Sequence, residues 1–288
     1  PVQTAFAYDR PSVQAGRGMA ECRLQPTASC QLLNGEQMMA WINIICLLMM
    51  KKVQRNIRQT VILLMLALVL GAQAQENLVS GLTHVEFDKY WVVESESPDY
   101  KVTFSGDTIE IVAPKGLTLW RKAKMKGNVT IEYDACVVVE GDGDRLSDLN
   151  CFWMASDPQS PDSLMARADW RSGIFARCYT LQLYYVGYGG NHNRTTRFRR
   201  YDGNEAGVKD KNARPAILRE YTDSANLLRP NHWYHVRLEA HDGRVRYFID
   251  GRKLVDYTDP KPLSEGWFGF RTTLSRTRMT NFRYTEGN

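Results

Sequence analysis

Three alternating runs joined by two Asp-Gly pairs restrict the C-terminal part of this chain to a β fold. In 232–240, Tyr234, Val236, Leu238 and Ala240 fall on one side, and His235, Arg237 and Glu239 on the other. Successive side chains of a strand point to opposite faces, so this segregation is that of a half-buried strand. His241-Asp242-Gly243 then turns the chain into 244–249, and Asp250-Gly251 turns it again into 252–257. Asp-Gly readily supplies the positive φ angles of a two-residue hairpin, so a three-stranded antiparallel meander is expected.

Strand-like runs recur at 85–93, 101–104, 108–112, 117–120, 129–139, 150–155, 173–186, 196–201, 216–221, 267–272 and 279–284. Long helical periodicity does not recur in the same region. So many short strands separated by turns predict an all-β, antiparallel sandwich or jelly roll.

The N-terminal quarter reads differently. Lys51-Lys52-Val53-Gln54-Arg55-Asn56-Ile57-Arg58 is basic, 61–70 is apolar, and Ala72-Gln73-Ala74 follows. That order is a secretory signal peptide with cleavage after Ala74. Its apolar core is roughly half of what a membrane-spanning helix needs, so no stable membrane anchor is expected. No cysteine follows the cleavage site, which argues against a lipoprotein. The expected organisation is therefore 1–48 as sequence upstream of a native start at Met49 or Met50, 49–74 as signal peptide, and 75–288 as one domain. The alternative is a genuine extension with an internal hydrophobic helix. The mature protein is expected in a bacterial periplasm or secreted.

Removing the leader changes the electrostatics. Residues 1–74 hold seven of the 37 basic and three of the 32 acidic residues, which leaves 30 against 29. The mature domain is almost neutral, which excludes nucleic-acid binding by a globally basic surface. Cys136, Cys151 and Cys178 remain, an odd set without C-x-x-C spacing, so at most one disulfide and no zinc motif are expected. Their apolar, strand-like settings make packing the default role. No EF-hand, P-loop or dinucleotide fingerprint occurs, and no cofactor is expected. The acidic run Glu140-Gly141-Asp142-Gly143-Asp144 reads as a solvated turn or as a calcium loop.

Two resemblances follow from particular residues. Asn231-His232-Trp233-Tyr234-His235-Val236-Arg237, then 247–260 with Ile249-Asp250-Gly251, then Gly266-Trp267-Phe268-Gly269-Phe270-Arg271 resemble the closing strands of concanavalin-A-like sandwich domains. Laminin-G-like modules and 3-keto-disaccharide hydrolase-like proteins share this pattern. It implies a concanavalin-A-like jelly roll and says little of function, because that fold hosts lectins, hydrolases, lyases and inert modules. The segment from Cys151-Phe152-Trp153-Met154 to Tyr201-Asp202-Gly203 is similar to secreted jelly-roll proteins of bacterial polysaccharide-utilisation clusters, including relatives encoded beside rhamnogalacturonan-degrading genes. That resemblance implies work on a complex glycan, with a polysaccharide or oligosaccharide as partner.

Between Trp170 and Tyr201 stand six arginines and no acid, with a glycine break at 187–190. A local positive field of this kind needs solvent or an anion. Alternation places Gln182, Tyr184 and Tyr188 on one strand face, opposite Leu181 and Leu183. The expected reading is a sugar-binding face; the competing one is a second core layer. Gly187, Gly189 and Gly190 free Asn191-His192-Asn193 as an exposed loop, and histidine is the side chain that changes charge near neutral pH. Arg197, Arg199 and Tyr201 share a face, either to grip a carboxylate or to form a solvated edge. Trp267 and Arg271 face away from Phe268 and Phe270 and are expected on the same concave surface. Asn150, Trp153, Asp169 and Trp170 complete the candidates, as stacking or hydroxyl-binding groups.

These residues suggest lyase-type β-elimination from an acidic polysaccharide, with His192 or Tyr188 as base and Arg197, Arg199 and Asn191 neutralising the carboxylate. Two alternatives stand beside it. A jelly-roll glycoside hydrolase would need two converging carboxyl groups, for which Asp169, Asp202 and Glu220 are available. A non-catalytic glycan-binding module would need only the aromatic and arginine face.

Overall fold

The computed structural model describes residues 35–76 and 80–287. The first of these segments is a helix, Gly35–Glu76, running through the basic and apolar parts of the expected leader. No described helix is long and apolar enough to cross a membrane. Residues 1–34, and with them most of the expected upstream segment, lie outside the described residues.

The rest is antiparallel β structure built on two long bent strands. Strand β3 (Thr108–Arg121) and strand β13 (Glu265–Gly287) pair along most of their common length, and both change direction at the same level. On β3 the break is Pro114-Lys115, where proline cannot donate a ladder hydrogen bond. On β13 it is a bulge with Leu274 at φ 50°. Each strand therefore belongs to two layers.

The first layer runs β2 (Lys101–Ser105), β3, β13, β5 (Asn128–Val138), β10 (Tyr234–His241), β11 (Arg244–Ile249) and β12 (Arg252–Thr258). The second runs β1 (Trp91–Ser95), β3, β13, β6 (Leu149–Ser156), β7 (Gln182–Gly189), β8 (Thr195–Asp202) and β9 (Arg219–Tyr221). A two-residue strand β4 (Met125–Lys126) pairs with the start of β13. This is the all-β, concanavalin-A-like jelly roll that the sequence predicts. The β10–β12 meander forms as expected, with Asp242-Gly243 at φ 48° and 76° and Asp250-Gly251 at 48° and 75°.

The main core lies between the layers. Ile131, Tyr133, Val236 and Tyr247 come from the first, and Trp153, Tyr184, Val186, Tyr188, Phe198, Phe268 and Phe270 from the second. A second buried cluster covers the opposite face of the second layer, where Trp120, Phe152, Leu181, Leu183, Tyr185, Tyr201 and Trp267 meet a roof contributed by residues 157–180. In that roof Phe175–Thr180 is a run of 3-10 turns, so the expected strand at 173–186 begins only at Gln182. The residues before it cross over the sheet face instead of extending the sheet. The expected strand at 216–221 likewise shrinks to Arg219–Tyr221.

One buried arginine holds the roof down. Arg171 is fully buried; its Nη2 donates to Glu94 Oε1 at 2.5 Å and to the Leu164 carbonyl at 2.7 Å, and its Nη1 to Asp157 Oδ2 at 3.3 Å. Arg167 also reaches Asp157, at 3.1 Å. Burial pushes the Glu94 carboxyl up, and the charge of Arg171 opposes that shift. Cys136, Cys151 and Cys178 are free thiols in buried positions. Burial pushes the Cys151 thiol up to about 12 and that of Cys178 to about 11, as packing residues would be.

Candidate functional site

The roof covers only part of the outer face of the second layer. Beside it the ladder register aligns Thr118, Arg271, Asn150, Gly187 and Arg197 on five neighbouring strands, all pointing outward. The adjacent row is Trp120, Gly269, Phe152, Tyr185 and Arg199. Glycine in these rows leaves room for a neighbouring ring. A side chain on Gly269 would meet the Trp120 ring at 2.6 Å, and one on Gly187 would meet the Tyr185 hydroxyl at 2.2 Å. The Tyr185 ring therefore leans over Gly187 and carries its hydroxyl above the polar row.

Together these groups form the floor of a cleft of about 380 Å³. Asp148, Asn150, Tyr185 and Arg271 line the bottom, Phe175, Tyr179 and Arg214 the roof side, and Glu96 and Thr273 the opposite rim. A second depression of about 460 Å³ shares Glu96 and continues past it to Tyr100 and Asp169. Between the two, Gly173 packs on the backbone of Ser95, Glu96 and Gly116.

The polar groups of the floor are only partly satisfied. Asn150, 3% exposed, donates from Nδ2 to Asp148 Oδ1 at 3.3 Å, while its Oδ1 is buried without a partner. A buried amide oxygen left in that state costs about 1–3 kcal/mol unless water or ligand completes it. Asp148 is compensated, accepting from Ser147 Oγ at 2.7 Å and facing Arg145 at 3.2 Å. Arg271, also 3% exposed, donates from Nη1 to Thr118 Oγ1 at 2.9 Å and to the Gly173 carbonyl at 2.8 Å. Phe175 lies 5.0 Å from its guanidinium. Burial raises the Tyr185 hydroxyl far above its ordinary range, and the Asp148 charge adds to that, so it stays protonated as a donor.

Of the residues named from sequence, Asn150 and Arg271 meet in this cleft, and Asp169 lines the neighbouring depression. Tyr188 does not share an open face with Tyr184. Both are buried in the main core, Tyr188 donating to the Leu227 carbonyl at 3.4 Å and Tyr184 to Asp259 Oδ2 at 2.7 Å. Burial raises both hydroxyls, which disfavours either as a base. Trp153 is packed between Tyr184 and Phe198 in the same core. Gln182 is half-buried at the start of β7, away from the cleft. Tyr201 and Trp267 belong to the second cluster under the roof; Trp267 donates to the Lys122 carbonyl at 3.2 Å, so it packs and offers no open platform.

The positively charged loop region is also organised differently. Asn191 and His192 are exposed in left-handed backbone, φ 54° and 59°, on a turn that Asn193 ties to Leu228 through bonds of 2.9 and 2.8 Å. Neither lines the cleft. Arg197 donates to Glu220 Oε1 at 2.5 Å and Arg199 to the Pro215 carbonyl, so both are committed at the β8–β9 edge. Asp202 pairs with Arg200. In the acidic run, Asp144 accepts from the Glu140 and Gly141 amides at 2.8 and 3.1 Å, and Glu140 pairs with Arg276. Among the described residues no cluster of three potential metal ligands occurs.

Sequence reasoning missed Asp148, Tyr185, Tyr179, Arg214 and Glu96. Tyr185 carried a usable signal, since it alternates with Leu181, Leu183 and Gly187 and faces the side where glycine leaves space.

A protein of unknown function with a galectin-like fold from Bacillus subtilis superposes with a TM-score of 0.56 at 14% identity, covering 73% of this chain and 94% of that one. The carbohydrate-binding module CBM66 from Bacillus subtilis aligns with a TM-score of 0.45 at 16% identity over 68% of this chain and 95% of its own. The Emp46p carbohydrate recognition domain in its metal-free form aligns at 0.47 and 13% identity, over 74% and 95%. No curated protein sequence matches. Residues 111–282, which contain both long strands' junction, the roof and most of the cleft, match a family described as a domain of unknown function, and the chain belongs to that family, DUF6250.

Proposed function

We propose that this protein is a non-catalytic glycan-binding domain whose saccharide lies in the cleft over Asn150, Tyr185 and Arg271. The observation that carries the reading is the buried Asn150 Oδ1 without a partner, set beside a buried guanidinium and a tyrosine hydroxyl at the bottom of an aromatic-edged groove. Sugars offer hydroxyls that donate and accept at such spacing, and apolar ring faces that pack on aromatic rims. The binding reading is favoured over elimination because no histidine lines the cleft and its tyrosine hydroxyls are held protonated. Proton abstraction needs a group whose pKa lies near the working pH.

The leader-like order of 51–74 supports action outside the cytoplasm, in a periplasm or beyond it. The partner that fits an open, aromatic-edged cleft of about 380 Å³ is a saccharide unit of a polysaccharide or oligosaccharide, in keeping with the resemblance to polysaccharide-utilisation proteins. Calorimetric titration of the full chain with pectic, glucuronan-type and host acidic glycans, with parallel product analysis, tests the reading. Binding without any new reducing end or unsaturated uronide is expected. Turnover of a bound glycan would replace the module by an enzyme.

A further inference from the structure

We propose that the free edge of Arg271 is a carboxylate clamp, so that the sugar held in the cleft is a uronic acid; this rests on the glycan-binding reading above. Nη1 of Arg271 is committed to Thr118 and Gly173. Nε and Nη2 donate to no described residue, and neither is sealed from solvent without a partner. Those two atoms carry the parallel N–H groups that match both oxygens of a carboxylate. The anchoring of Nη1 aims this edge without occupying it.

The cleft carries charges of both signs around that edge. Arg271 makes no ion pair within 4.0 Å among the described residues, although its charge is felt by Glu94. Asp148 is paired with Arg145, and Glu96 Oε2 at the rim accepts from the Gly116 amide at 3.0 Å, so Glu96 keeps its charge there. Arg214, stacked 5.2 Å from the Tyr179 ring, adds a second cation at the roof edge. A neutral sugar would leave the parallel N–H pair without an acceptor that spans it, whereas a uronate would supply an oxygen to each. Asn150 Oδ1 then accepts from a ring hydroxyl, and the Tyr185 hydroxyl donates to a neighbouring oxygen.

The test uses the full chain and three acidic polymers, polygalacturonate, glucuronan and alginate, each beside its carboxyl-reduced form. At least one acidic polymer is expected to bind, with its reduced form about 10-fold weaker or worse, the usual range for losing a bidentate charged pair. Arg271→Lys keeps the charge but removes the parallel donors, and is expected to weaken the acidic polymer by a similar factor and its carboxyl-reduced form by clearly less. Should that variant fold poorly, Asn150→Asp leaves Arg271 in place and sets a competing carboxylate beside it; selective loss of the acidic polymer is again expected. Equal binding of acidic and reduced forms, or indifference of both variants, overturns the clamp and leaves glycan binding standing. Absence of binding to every polymer in both forms overturns both.

Discussion

Two buried arginines show how the same side chain serves structure in one region and an open site in the next. Arg171, under the roof, meets two carboxylates, and every charge there is balanced within the chain. Arg271, in the cleft, meets only a hydroxyl and a carbonyl. Both are almost completely removed from solvent. A desolvated charge is stable only with a partner, so the region whose charges close on themselves is scaffold and the region left open is where a ligand fits.

The contrast breaks most visibly in stability. Arg171→Met leaves Glu94 buried without its cation and Asp157 with Arg167 alone. Removing one member of a buried ion network costs about 3–5 kcal/mol, which for a domain of this size lowers Tm by on the order of 10 °C. Calorimetry or urea unfolding reads this directly; a loss below about 1 kcal/mol would show that the roof is not held by Arg171. A smaller effect, about 1–3 kcal/mol, is expected of Gly187→Ala, because the new methyl meets the Tyr185 hydroxyl at 2.2 Å and the ring must move. That variant is also expected to lose glycan binding, since the displaced hydroxyl enters the cleft. Arg271→Met takes no hydrogen-bonded partner from a buried carboxylate and is expected to cost less than Arg171→Met, about 1–3 kcal/mol, chiefly for the Gly173 carbonyl it leaves unpaired. If it were as damaging as Arg171→Met, the two regions would not differ as claimed.

The fold was legible in the sequence because alternation and Asp-Gly turns are local signals. The meander at 234–258 follows from them almost residue by residue. The site was only half legible, for a reason that lies in the layers. Alternation correctly separated Tyr184 and Tyr188 from Leu181 and Leu183, but it cannot say which face meets the other layer. Both faces of β7 are covered, one by the sandwich partner and one by the roof, so both carry apolar residues. The leucine face held the cleft. Arg271 was found because Phe268 and Phe270 mark the opposite face of β13 unambiguously. Asp148 and Glu96 reach the site from loops and strand ends, and Arg214 from a connection with no period at all. Salt-bridge partners were equally invisible: nothing local tells that Arg197 will meet Glu220.

The finer predictions separate the cleft from the loop that the sequence brought forward. Tyr185→Phe removes a hydroxyl that has no protein partner among the described residues, so stability should change by less than about 0.5 kcal/mol. Its binding loss should be about 3- to 10-fold, the worth of one hydrogen bond, read by titration against whichever glycan the full chain binds. His192→Ala should do neither. His192 is exposed, makes no hydrogen bond within the described residues, and sits on a turn held by Asn193. Replacing it removes no buried area and no partner, although alanine tolerates the positive φ of that position less well than glycine or asparagine. An affinity within about 2-fold of the parent is expected, the scatter of a surface substitution. A large loss at His192 with Tyr185→Phe silent would move the ligand off the Arg271 cleft and onto the 191–200 edge, where Arg197 would have to release Glu220 to meet it.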